Sequence, residues 1–542
     1  MLKIDPADVY SYLDKWPEKT NSTYAVTTQK TEGLAIKSVQ QKKEAPPIII
    51  YQDNKKIYKD VLKPDATMTA KLDGKTSGSL QLQQVIVGFD TNNKQVFSVY
   101  NPLGSEMIVT FPESAVSYAV GLRISGDGEA VLSEFSLKSY NQPPLVSKKE
   151  LFSIRSDVDY LLITNVYPEK NNYYQNMFIH RRALSYKERG IKVAIFRLNT
   201  SPSIGYYEYE GIPVYMSGDE ELTRLLDYRS YKKILFHFIT ERMYEAVNKS
   251  NARTTPKLIW VHGYETTKWY RRWFNFYKDA SSLRSALNQA PGNQRQLDFM
   301  HKLYSSNDNT IKFIFVSKWY KENVAEKDAN AIVKNYSIIH NVIDDQLYRY
   351  EPKSAEQRKR ILTIRPFASR TYANDLMVKA ILALKDQPFF GELEFDIFGQ
   401  GPLFDKEVEP VRGLSNVHLH NHFLSQEQIA KQHKSHGIFL GPSRMDSQGV
   451  SLGEAMSSGL VPVTTKVYAI PEFIDETCGF LADKEDYLGL AEAIEDLYYN
   501  PKAFLEKSEE AAHRVRYQCG KDKMIRAEVK EITESSNEKV LQ

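Results

Sequence analysis

The 542 residues carry 71 Lys and Arg against 68 Asp and Glu, a formal net charge of +3. So even a balance argues against a nucleic-acid binder working through a basic face, and two cysteines exclude a disulfide scaffold or a Cys-rich zinc module. At 42% hydrophobic and 26% charged residues, wholesale disorder is excluded and about three domains are expected.

The start, Met1-Leu2-Lys3-Ile4-Asp5-Pro6, lacks the apolar core of a signal peptide. The longest apolar runs, such as Ile48-Ile49-Ile50 and Phe313-Ile314-Phe315-Val316, are strand-sized and fall short of the ~20 residues that span a bilayer. A cytoplasmic protein is expected, at most peripheral on the inner face of the cell membrane.

Residues 1–145 read as β-rich. Short runs at Pro47–Tyr51, Thr67–Leu72, Ser79–Phe89, Gln95–Tyr100, Met107–Phe111, Ser117–Arg123 and Ala130–Lys138 are separated by turn signals, Leu72-Asp73-Gly74 and Ser125-Gly126-Asp127-Gly128 among them. Strands spaced in this way predict an antiparallel sandwich-like domain. It carries no chemical constellation, and glycan binding, docking of a partner enzyme or homo-oligomer formation all suit it. Asn141-Gln142-Pro143-Pro144 reads as a linker.

From residue 158 strands alternate with helices. Strands are expected at Tyr160–Asn165, Ile191–Leu198, Lys233–His237, Lys257–His262, Lys312–Ser317 and Tyr336–His340, with a helix over 174–189. A second series follows at Arg360–Arg365, Glu394–Phe398, Asn416–His420, Gly437–Gly441 and Leu460–Thr465. Two such series predict two Rossmann-like doubly wound α/β domains, over 150–350 and 351–515, with a helical tail over 516–542. In such folds ligands sit beyond the carboxyl ends of the strands.

One stretch is the most informative: Gly441-Pro442-Ser443-Arg444-Met445-Asp446-Ser447-Gln448-Gly449-Val450-Ser451-Leu452-Gly453-Glu454-Ala455-Met456. A strand leads into a polar loop bearing Asp446, and a helix opens near Gly449 bearing Glu454. Free N–H groups at the helix start suit a phosphate. The two carboxylates suit hydroxyl groups, Glu454 those of a ribose diol.

This run resembles the E-x7-E signature of retaining family-4 glycosyltransferases of the GT-B fold, present here as Asp446…Glu454. Pro442, Ser443, Gly449, Glu454, Ala455, Met456, Gly459, Pro462 and Val463 match. Asp446 stands for the first Glu, and Gln448 stands where an aromatic is common. The resemblance implies a metal-independent, retaining hexosyltransferase that uses a nucleotide-diphosphate sugar as co-substrate, with no cofactor and no nucleic-acid partner. The acceptor would be a glycan, glycolipid or glycoprotein, at family level in bacterial surface polysaccharide synthesis. It further implies that Arg365 and Arg370 take the diphosphate, with Arg370 in place of the usual Lys. Ser443, Gly449, Val450 and Ser451 complete the phosphate site, Gly399 opens the Gly399-Gln400-Gly401-Pro402 turn, Asp446 orients the sugar ring, and His262 reaches the sugar or acceptor. A non-catalytic glycosyltransferase-like scaffold and a nucleotide-sugar epimerase of the same fold stay open as alternatives.

The segment Val166-Tyr167-Pro168-Glu169-Lys170-Asn171-Asn172-Tyr173-Tyr174-Gln175 departs from the family's Gly-rich loop. The basic, aromatic stretch 268–278, with Trp269, Trp273 and Phe276 on one helical face, is compatible with a peripheral membrane contact, with lining the acceptor cleft, or with packing on the β-domain. Asp157-Val158-Asp159 spells a metal-binding D-x-D but lies at the wrong end of its strand.

Overall fold

The computed structural model describes residues 8–13, 19–20, 24–29, 33–38, 47–51, 60–61, 67–112, 114–140, 157–168, 176–200, 204–276 and 280–534. The expected linker at 141–144 and residues 169–175 of the loop that departs from the family pattern lie outside these residues. The chain forms two compact units, Met1–Lys257 and Leu258–Gln542.

In the first unit two antiparallel sheets share a core. One contains Tyr24–Gln29, Gly33–Ser38, Gly128–Tyr140, Thr67–Thr76 and Ser105–Thr110; the other contains Ile48–Tyr51, Ser117–Ser125, Gln81–Phe89 and Gln95–Pro102. Leu34, Leu72, Ile86, Leu122, Phe135 and Leu137, all fully buried or nearly so, fill the space between. Alternation along each strand sends one set of side chains inward.

The turn expected at Leu72-Asp73-Gly74 is instead strand. Thr67–Thr76 runs through it, and the register against Gly128–Tyr140 shifts between Leu132 and Glu134. Gly74 marks a bulge here, where a Cβ would lie 2.4 Å from the Val131 carbonyl oxygen.

The sheet does not end with the sandwich. Ser105–Thr110 pairs antiparallel with Ile204–Tyr209, which forms a hairpin with Ile212–Ser217. The hairpin joins the parallel strands Val193–Leu198, Tyr160–Thr164 and Lys233–His237. Met216 reaches back into the sandwich core. One sheet of the β-rich region is therefore continuous with the α/β strands that follow it. Asp159 at the start of Tyr160–Thr164 pairs with Lys232 at 3.1 Å, and Asp157 lies 3.9 Å from Lys192. Tyr167, where the first α/β loop begins, is fully buried, its hydroxyl 2.7 Å from His180 Nδ1.

The second unit begins with the neighbouring strands Lys257–Val261, Ile311–Phe315 and Tyr336–Ile338. It continues into a six-stranded parallel sheet in the order Val417–His420, Glu394–Phe398, Arg360–Ile364, Ile438–Leu440, Val461–Thr465, Phe480–Ala482. Helices cover both faces: Ile361, Ile397, Val461 and Ile494 lie in one core, and Leu362, Phe439, Leu452 and Val515 in the other. The strand order reverses between Arg360–Ile364 and Ile438–Leu440, which opens a crevice beyond their carboxyl ends. The helix Lys521–Thr533 returns to the earlier strands, where Glu531 accepts from Lys312 Nζ at 2.5 Å and from Ser337 Oγ at 2.6 Å.

Candidate active site

Arg365 leaves the first strand at the point of reversal. Its backbone N–H still donates to Phe398 O at 3.1 Å, which carries sheet bonding one residue past the strand. The side chain is only 3% exposed. Nη1 donates to Ser451 Oγ at 2.9 Å, and Nη2 donates to Gly441 O at 2.8 Å and Ser443 Oγ at 3.2 Å. Among the described residues Nε has no partner and no carboxylate lies within ion-pair distance. Burial pulls the guanidinium below its ordinary pKa, opposed by the charge of nearby Asp446. It stays charged at neutral pH.

The loop from Gly441 meets Arg365 across the crevice. Ser443 is held by its N–H to Thr465 Oγ1, at 2.9 Å. Gly449 is left-handed at φ 82° and begins the helix Val450–Ser457. Asp446 Oδ1 accepts from the N–H groups of Gln448, at 3.1 Å, and Gly449, at 2.7 Å. The carboxylate therefore caps the loop, and Val450 and Ser451 open the helix beside Arg365. Glu454 is half-buried one turn further on.

Arg370 begins the short turn Arg370–Tyr372. Its N–H donates to Asn275 Oδ1 at 3.0 Å. Its half-buried guanidinium has no hydrogen bond or ion pair among the described residues. Nearby Glu407 has its carboxyl pushed up to about 7, first by burial and then by Asp375.

Gly399 lets this loop lie close. A Cβ there would stand 2.0 Å from Arg365 O and 2.8 Å from the Phe367 ring. We expect Gly399→Ala to displace Arg365, lower stability by about 1–3 kcal/mol and cut ligand binding with it. Urea unfolding and calorimetry on the same samples check this.

His262 follows the strand Lys257–Val261 and faces the same loop. Its carbonyl accepts from Ser447 Oγ at 3.1 Å, and its N–H donates to Glu265 Oε1 at 3.3 Å. Arg365, Ser443 and Ser451 are thus hydrogen-bonded together, Gly399 lies against Arg365, and His262 is joined to the loop of Asp446 and Gly449.

Residues 358–500 match the family described as Glycosyl transferases group 1. The sucrose-phosphate synthase of Thermosynechococcus elongatus superposes with a TM-score of 0.50 at 15% identity, over 69% of this chain and 98% of that one. A glycosyltransferase from Rickettsia africae gives 0.50 at 12%, over 70% and 99%. HepE of Anabaena, solved in complex with UDP, gives 0.50 at 13%, over 69% and 99%. The chain has the GT-B fold. No curated protein sequence matches it.

In this GT-B chain residues 268–276 do not form the regular helix expected, and residues 277 and 278 lie outside the described residues. Trp269–Asn275 is a 3₁₀ helix kinked at Arg272. With three residues per turn and a kink, Trp269 and Phe276 meet at 5.4 Å while Trp273 lies under Lys484, 5.6 Å away. Arg271 is clamped by Asp328 at 2.6 and 2.8 Å, and Asn275 holds the Arg370 loop. The stretch therefore borders the crevice.

Sequence reasoning missed Arg444. It is 5% exposed and makes two-pronged pairs with Asp375, at 2.7 and 2.9 Å, and Glu485, at 2.6 and 2.8 Å. Nη1 also donates to Arg370 O at 2.9 Å, and its N–H donates to Thr371 O at 2.8 Å. It ties the Arg370 turn to the loop of Ser443. Its acidic partners are 69 and 41 residues away in sequence, so no local pattern reveals it.

Proposed function

We propose that this group 1-type GT-B protein transfers a sugar from a nucleoside-diphosphate sugar to a hydroxyl of a glycan, glycolipid or glycoprotein, with retention of anomeric configuration. The observation that carries the reading is Arg365, a buried cation at the sheet's reversal point with no carboxylate at ion-pair distance among the described residues. Such a charge is unfavourable alone and favourable once an anion arrives. A diphosphate meets it with Arg370, the hydroxyls of Ser443 and Ser451, and the amides that open the helix at Val450.

In this scheme the two guanidinium groups take the charge that grows as the bond from the anomeric carbon to the diphosphate oxygen breaks. The acceptor oxygen bonds to the same face of that carbon, and its proton passes to the leaving phosphate. Glu454 accepts from the ribose diol. His262 and Asp446 orient the sugar or the acceptor. With the arginines neutralising the diphosphate, turnover persists in EDTA. Bacterial surface polysaccharide synthesis is the setting this chemistry suits.

Asp446 favours a second reading. Its Oδ1 is held on the Gln448 and Gly449 amides, which suits a scaffold that binds donor without turning it over. A screen of nucleotide sugars for release of nucleoside diphosphate, beginning with UDP-sugars because HepE was solved with UDP, separates the two. Transfer predicts release from one donor, reduced ~10²–10³-fold in Arg370→Ala. Binding that is lost in Glu454→Ala, without release in the parent, supports the scaffold. Sugar interconversion without acceptor identifies an epimerase, and no binding of any nucleoside diphosphate overturns all three.

A further inference from the structure

The two residues between Asp446 and Gly449 make a set of bonds that the transfer scheme does not use. Ser447 donates its hydroxyl to His262 O at 3.1 Å, and its own carbonyl accepts from Ser317 Oγ at 2.7 Å. Gln448 is 4% exposed. Its Oε1 accepts from the Asn341 N–H at 2.5 Å, and Nε2 donates to Asn341 O at 3.0 Å and reaches Cys519 Sγ at 3.6 Å. The amide side chain thus satisfies both backbone groups of one residue, as a paired strand would. His262, Ser317 and Asn341 each follow one of the three strands that open this unit. Two adjacent residues of the donor loop are therefore bound to the ends of all three.

A second tie runs in parallel. Glu472 accepts from the N–H groups of Lys318, at 3.0 Å, and Trp319, at 2.8 Å. The same short helix, Ile470–Phe473, packs on Gly449 through Ile470. The loop is held from both sides.

We propose that Ser447 and Gln448 are positioning residues: they latch the Asp446 loop and the start of the helix Val450–Ser457 to the strand ends bearing His262, Ser317 and Asn341, so that a nucleoside diphosphate meets an assembled site. The proposal deepens the transferase reading and rests on it for the ligand. An apolar residue at 448 fills the same space but leaves the Asn341 N–H and C=O unpaired. The loop then samples open positions, and apparent affinity falls by the fraction of chains still assembled.

The test uses Gln448→Leu in the full chain, with Ser447→Ala as the milder variant should the first fail to fold. Amide hydrogen exchange is measured at Asn341 and Gly449 without ligand. UDP binding is measured by calorimetry, with GDP and ADP as further probes. Loss of the latch predicts faster exchange at Gly449 as well as Asn341. It also predicts about tenfold weaker diphosphate binding, with turnover per folded chain at saturating donor unchanged. A merely structural defect does the reverse, lowering turnover per chain without changing affinity, and overturns the positioning role. Exchange at Gly449 equal to the parent's overturns the latch itself. Faster exchange in the variant of a parent that binds no diphosphate contradicts the transferase reading and leaves the latch standing.

Discussion

Arg365→Met is expected to lower turnover and diphosphate binding by ~10²–10³-fold while leaving the melting temperature at or above that of the parent. The two halves of this expectation have one cause. Arg365 is buried with no carboxylate at ion-pair distance among the described residues, so the folded chain bears the desolvation of a cation that the nearby charge of Asp446 offsets only in part. Methionine has a similar reach and removes that penalty. The hydrogen bonds lost are replaceable: Gly441 O keeps its bond from Thr464 Oγ1 at 2.9 Å, and the Ser443 and Ser451 hydroxyls can rotate. A residue kept for packing would show the opposite pattern, with stability falling alongside activity. Thermal unfolding and calorimetry with UDP, GDP and ADP measure the two halves separately.

Arg444→Met is expected to behave in the other way, destabilising by about 3 kcal/mol and weakening diphosphate binding through the Arg370 turn. Here the cation has partners, and its removal strands Asp375 and Glu485. Burial alone would raise the Asp375 carboxyl, but the hydrogen bonds and charge of Arg444 outweigh it and hold the group below its ordinary pKa. A carboxyl whose folded pKa is depressed adds stability above its unfolded pKa, near 4, and loses that stability as pH falls through the folded value. The gap between parent and variant is therefore full at pH 7 and shrinks below about pH 4. Urea unfolding at pH 7 and pH 3 reads it directly. A gap that does not change with pH would mean that the Asp375 pair contributes nothing.

These two arginines show how far the sequence could be read. The parallel strands are legible because both faces are buried: Tyr160–Thr164, Lys233–His237 and Val461–Thr465 are buried at every position and read as near-continuous apolar runs. The strand–loop–helix that carries Pro442 to Glu454 is legible because its pattern is local. The hairpin Ile204–Tyr209 and Ile212–Ser217 escaped because its turn is Glu210-Gly211, both at positive φ, where Asn-Gly or Asp-Gly is the usual signal. With it went the continuity of the β-rich region with the α/β strands. Gly74 misled for a related reason: a glycine can open a turn or sit in a bulge, and only the partner strand decides. Arg444, Ser447 and Gln448 escaped because their partners are distant in sequence. A polar residue at 448 reads as a departure from an aromatic pattern until Asn341 is seen opposite it.

Diphosphate binding in the crevice at the sheet's reversal point is the expectation on which the transfer scheme depends. It is tested most directly by a crystal structure of the chain with bound UDP, or with GDP or ADP if either binds more tightly. Phosphate oxygens are expected within hydrogen-bond distance of the Arg365 and Arg370 guanidinium groups and at the amides that open the helix Val450–Ser457. A diphosphate bound elsewhere, with Arg365 still donating only to Gly441, Ser443 and Ser451, would contradict it.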